Sequence, residues 1–175
     1  FRHADGFEMV TTNCLTGRSE YLRETQRNRQ RAIDICRASS SLPYVSKIVM
    51  VDGQPMLDGG IIDSIPVQHA MATGHPFNVV ISTRNYGFRE DGSDRKIPYF
   101  IYKNYPRLRV ALSHRIKAYN TQLQMVEDLE RQGRIICIRP KRPMEVRRIE
   151  KNVERLERLY EEGFQLGEEF AVGVR

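Results

Sequence analysis

The chain has 175 residues, 40% of them hydrophobic and 29% charged, with 28 Lys and Arg against 22 Asp and Glu and a formal net charge of +6. That size and balance suit one folded domain with a proper apolar core, and no run of 18 apolar residues offers a transmembrane helix. A basic balance fits nucleic acid, an anionic membrane surface or plain solubility, but no zinc-finger spacing, recognition-helix signature or aromatic-rich sheet pattern supports a nucleic-acid partner.

Residues 7–12 alternate as a strand does, and Thr16-Gly17 marks a turn back through a second strand over 19–22. Residues 25–39 read as a helix with Ile33 and Cys36 on one side and Arg27, Arg31 and Arg37 around it. The Ser39-Ser40-Ser41 run and Pro43 stop it. A β-rich strand over 47–51 meets Asp52-Gly53, a hairpin signal whose second arm carries Met56 and Leu57. Residues 66–73 form a helix closed by Gly74. The nearly continuous apolar run 77–83 predicts a strand with both faces covered. Residues 84–96 are an exposed loop, with Tyr86 and Phe88 as lid or membrane-touching candidates, and a short helix follows over 99–105.

Pro106 opens a long helix to residue 132, with Leu108, Leu112, Ile116, Tyr119, Leu123 and Val126 as its core stripe. A strand over 134–139 and a helix over 145–170 complete the chain. The last helix sets Val146, Ile149, Val153, Leu156, Tyr160 and then Phe164 on a stripe read as core packing. Alternating strands and helices argue for an α/β domain with a largely parallel sheet.

The chemistry concentrates in Met56-Leu57-Asp58-Gly59-Gly60-Ile61-Ile62-Asp63-Ser64-Ile65-Pro66-Val67. Asp58 ends an apolar run, two glycines allow positive φ and a close backbone approach, and Pro66 fits the first position of a helix. Asp58 is thereby held on a tight turn between strand and helix. Asp63 is expected to help cap that helix.

This stretch resembles the Asp-Gly-Gly motif of the patatin-like phospholipase family. The ordered set Ala38-Ser39-Ser40-Ser41-Leu42-Pro43, Val51-Asp52-Gly53, Asp58-Gly59-Gly60 and Asp63-Ser64-Ile65-Pro66-Val67 carries the likeness. The resemblance implies a three-layer α/β/α sandwich and a serine acyl hydrolase acting on lipid esters without metal or organic cofactor. It makes Asp58 the base of a Ser–Asp dyad, with Gly59 and Gly60 shaping the site. The family's Gly-x-Ser-x-Gly elbow and Gly-rich oxyanion loop do not occur in these residues. Gly17-Arg18-Ser19-Glu20-Tyr21 begins like the elbow but ends in Tyr and sits in a hairpin. Residues 1–175 are therefore expected to be the C-terminal part of one patatin-like domain, catalytically silent alone and prone to self-association through a bared sheet edge.

Plainer readings stand beside these. Asp58 alone can organise its turn through an Asx-type hydrogen bond, and the chain can be a non-catalytic membrane- or partner-binding module. The basic clusters are mostly solvated helix faces, with attraction to anionic phospholipid, at about 1 kcal/mol per residue near the surface, as the functional alternative. His3, His69, His75 and His114 lack metal-ligand spacing. Cys14, Cys36 and Cys137 read as reduced, buried thiols of a cytoplasmic protein, peripheral to a membrane at most.

Overall fold

The computed structural model of the chain describes residues 7–24, 28–92, 96–146 and 150–173. Contacts gather these into two compact units, Phe1–Pro66 with Glu90–Gln122, and Val67–Arg89 with Leu123–Arg175.

The first unit is built on two hairpins. Strand β1 (Glu8–Asn13) turns through Gly17, at φ 64°, into β2 (Arg18–Arg23). Asn13 shapes that turn, its Oδ1 accepting from the Leu15 and Thr16 amides at 2.9 and 3.2 Å. Strand β3 (Val49–Val51) turns through Asp52 and Gly53, at φ 48° and 74°, into β4 (Gln54–Asp58). Two consecutive left-handed residues match the twist of a tight hairpin. The four strands form an antiparallel sheet in the order β2-β1-β4-β3.

Side chains alternate across this sheet, so Met56 and Leu57 of β4 enter different clusters. Met56 packs with Val51 and with Ile35 and Ala38 of helix α1 (Arg29–Ser39). Leu57 packs with Cys14, Ile61 and with Leu108, Ala111 and Leu112 of helix α3 (Pro106–Ser113). The buried face of α1 is thus Ile35 and Ala38, not the expected Ile33 side, and Ile33 is 41% exposed. Asn28 caps α1 by accepting from Arg31 N at 3.1 Å, and the expected start at 25–27 lies outside the described residues.

The long helix expected over 106–132 is two, α3 and α4 (Arg115–Arg131). At the junction Ser113 Oγ donates back to the Val110 carbonyl at 2.7 Å, and His114 N is shared between the Val110 and Ala111 carbonyls. Such local bonds compete with the regular ladder. Where a short helix is expected over 99–105, residues 99–104 are a run of turns, with Tyr102 at φ 54°, and Tyr105 precedes α3.

The second unit contains helix α2 (Val67–Ala72), strands β5 (Asn78–Ile81) and β6 (Ile135–Ile138) in a parallel pair, and helix α5 (Val153–Gly173). Gly74, at φ 92°, follows α2 as expected. The protein is therefore mixed α/β. Among the described residues this pair is the only parallel pairing, and the larger sheet is antiparallel because tight hairpins join its strands. Strand β5 does not have both faces covered: Phe77, Val79 and Ile81 are exposed on one side. Residues 145–146 are coil, and α5 begins only at Val153, where Asn152 Oδ1 accepts from Arg155 N at 3.1 Å. Its stripe is not core: Val153, Leu156, Tyr160 and Phe164 are all exposed, and Ile149 lies outside the described residues.

Candidate active site

Asp58 is the last residue of β4 and caps a single 3₁₀ turn, Gly59–Ile61. Its backbone is held on both sides. Its amide donates to the Ser41 carbonyl at 3.0 Å, and its carbonyl accepts from Thr12 Oγ1 at 2.8 Å. The side chain is half-buried, with Oδ1 accepting from Gly60 N at 2.7 Å. Oδ2 takes no hydrogen bond among the described residues, so this oxygen is the one open to a proton donor. The Asx-type bond expected of a turn-former and the free lone pairs expected of a base thus occur in one carboxylate.

The two glycines serve approach, not torsion, and neither has a positive φ. A Cβ on Gly59 would lie 2.5 Å from the Val10 carbonyl oxygen, so β1 passes directly over it. A Cβ on Gly60 would lie 3.0 Å from Asp58 Oδ1 and 3.4 Å from Ser64 Oγ. The first glycine lets the strand close over the turn, and the second leaves room beside the carboxylate.

The Ser run does what a helix end needs. Ser40 Oγ donates to the Cys36 carbonyl at 2.7 Å and Ser41 Oγ to the Arg37 carbonyl at 2.6 Å. Both hydroxyls are committed, and the run reaches the site only through the Ser41 carbonyl on Asp58. A cavity of about 630 Å³ passes Ser40, Ser41, Arg37 and Lys47, and Asp58 does not line it. Ser19 lies on β2 opposite Thr12, on a strand and not an elbow.

Asp63 does not cap α2. Its Oδ2 accepts from Tyr21 Oη at 2.6 Å, and burial, then this bond, push the Tyr21 hydroxyl above its ordinary value. Pro66 directly precedes α2. Gln122 of α4 gave no signal in the sequence, yet its side chain reaches across to residues 62–65 (Ser64 N to Oε1, 2.9 Å). Only the three-dimensional fold brings these positions together, since about sixty residues separate them.

The loop proposed as a lid is fastened where it is described. Glu127 of α4 accepts from Gly87 N and from Arg89, whose guanidinium holds the Glu127 carboxyl below its ordinary value. Asn120 takes Glu90 N at 2.8 Å and returns a bond to its carbonyl. Residues 93–95 lie outside the described residues.

Many of the basic residues are paired: Arg31 with Glu24 and Asp52, Arg115 with Glu90, Arg139 with Glu130, and Lys141 with Glu169. Arg27, Arg147 and Arg148 lie outside the described residues, as does His3. Among the described residues no group of three His, Cys, Asp or Glu could hold a metal, and no helix is long and apolar enough to cross a membrane. Cys14 is buried, which pushes its thiol up to about 12, while Cys36 is exposed, contrary to expectation.

Residues 5–71 match the patatin-like phospholipase family, a family of lipid hydrolases. That match contains the whole Asp-Gly-Gly turn and lies in the N-terminal part of the chain. Residues 105–172 match a domain of unknown function, DUF6363. No curated protein matches the chain.

Proposed function

We propose that the chain supplies the acidic half of a Ser–Asp dyad in a patatin-like serine acyl hydrolase acting on lipid esters. The observation that carries this is the Asp58 carboxylate, with one oxygen fixed by Gly60 N and the other open, on a turn braced by Ser41 and Thr12. A serine hydroxyl brought to Oδ2 would pass its proton to Asp58 as it attacked the ester carbonyl. Release of the alcohol leaves an acyl-enzyme, which water then cleaves. The nucleophile and oxyanion donors come from a Gly-x-Ser-x-Gly segment outside these residues, where the three-layer sandwich is completed, and residues 1–175 alone are inactive. The test is covalent labelling of the longest natural version with a fluorophosphonate, which reacts with activated serines. Labelling that Asp58→Asn abolishes supports the dyad, and labelling at the parent rate in that variant refutes it.

A second reading is a non-catalytic module that docks on a partner or an anionic membrane. Helix α5 favours a partner: none of its residues is buried, and its exposed apolar stripe is flanked by six glutamates against two arginines. That charge would be repelled by anionic lipid.

A further inference from the structure

We propose that Gln122 is a positioning residue for the Asp58 carboxylate, so that the helix from the DUF6363-matching segment completes the Asp-Gly-Gly site. The proposal rests on the reading of Asp58 as the dyad base. A chain of hydrogen bonds carries it. Gln122 Oε1 accepts from Ser64 N at 2.9 Å and from Ile65 N at 3.3 Å, while Nε2 donates to the Ile62 carbonyl at 2.9 Å. Ser64 Oγ in turn donates to the Gly60 carbonyl at 3.0 Å, and Gly60 N donates to Asp58 Oδ1 at 2.7 Å. Residues 62–65 have no helix or strand of their own. Their backbone groups need partners from elsewhere, and a side-chain amide with one acceptor and one donor end fits that need.

The consequence is geometric. A base works when its free oxygen is aimed at the nucleophile, and aim depends on the groups behind it. Loss of the Gln122 clamp frees Ser64, Ser64 releases Gly60, and Gly60 N no longer fixes Oδ1. Gln122 and the Asp-Gly-Gly turn fall in the same compact unit, although the two family matches assign them to different segments. The boundary between the units falls within α4, directly after Gln122. The first half of that helix therefore belongs structurally with the patatin-like segment.

The test reads the relay at its far end. Amide exchange at Gly60, measured on this chain by NMR, should accelerate on the order of fivefold or more in Gln122→Ala and Ser64→Ala. Ser64→Thr keeps the hydroxyl and should stay at the parent rate. Thr121→Ala removes a hydroxyl that bonds only its own helix at Lys117 and serves as the control. If Gln122→Ala fails to fold, Gln122→Glu, which keeps the acceptor and loses the donor, takes its place. Unchanged Gly60 exchange in the folded variants overturns the relay and leaves the dyad reading standing.

In the longest natural version, Ser64→Ala should lower kcat with KM unmoved. Ser64→Thr should restore it, and the effect should vanish beside Asp58→Asn. Faster Gly60 exchange with undiminished kcat overturns the positioning role. Turnover indifferent to Asp58→Asn sinks the dyad reading instead, whatever the exchange result.

Discussion

Gly59→Ala isolates one physical claim, that β1 closes over the Asp-Gly-Gly turn with no room for a methyl group. The added Cβ would meet the Val10 carbonyl oxygen at 2.5 Å, its carbon at 2.6 Å and the Val10 Cβ at 2.7 Å. Such atoms settle at about 3.5 Å, so β1 or the turn must retreat by about 1 Å. Two of the three atoms are backbone in a paired strand, where Thr11 is in register with Asp58, so no side-chain rotation relieves the contact. Overpacking of this kind costs about 1–3 kcal/mol, and rigid backbone places Gly59→Ala at the upper end. With a urea slope of about 2 kcal/mol per molar, the midpoint should fall by about 1.5 M. Gly163→Ala, in a helix with nothing within 4 Å of the new methyl, should instead gain up to about 1 kcal/mol. A Gly59→Ala midpoint equal to the parent's would refute the close approach.

Two further outcomes follow from buried groups. Glu127 has its carboxyl held below its ordinary value by Arg89, so its contribution is present above the usual carboxylate range and is lost as pH falls through it. Glu127→Gln should therefore flatten the acid limb of a stability–pH curve, and an acid limb identical to the parent's would contradict the pairing. Cys36 is exposed and Cys14 is buried with its thiol pushed up to about 12. A thiol reagent at pH 8 should modify Cys36 in the native protein and reach Cys14 only on unfolding. Equal rates at the two sites would show that the Leu57–Leu108 core around Cys14 is open.

Local chemistry made the hairpins legible in the sequence. Thr16-Gly17 and Asp52-Gly53 supply the positive φ that a tight reversal needs, and both turns form where expected. The Asp58 turn was legible for the same reason, although its glycines answer to packing against Val10 and Asp58 and not to torsion. Apolar spacing was less informative. It runs unbroken through Ser113 and His114, where back-bonding to Val110 divides the helix. It marks an apolar stripe on α5 but carries no record of what should cover it. In α1 it pointed to Ile33, whereas the sheet takes Ile35 and Ala38. Gln122 left no trace at all, because its partners lie 57 to 60 positions away and any polar residue suits a helix surface.

The central claim, that Asp58 is the base of a serine hydrolase, is tested most directly by turnover of a short chromogenic acyl ester. The longest natural version of the protein is compared with its Asp58→Asn variant, which keeps the side-chain shape and the Gly60 contact but removes the base. A loss of about 10²–10⁴-fold in turnover, with the folding transition unmoved, is the result the dyad predicts. Turnover within a few-fold of the parent would contradict it and return Asp58 to the role of a turn-forming residue.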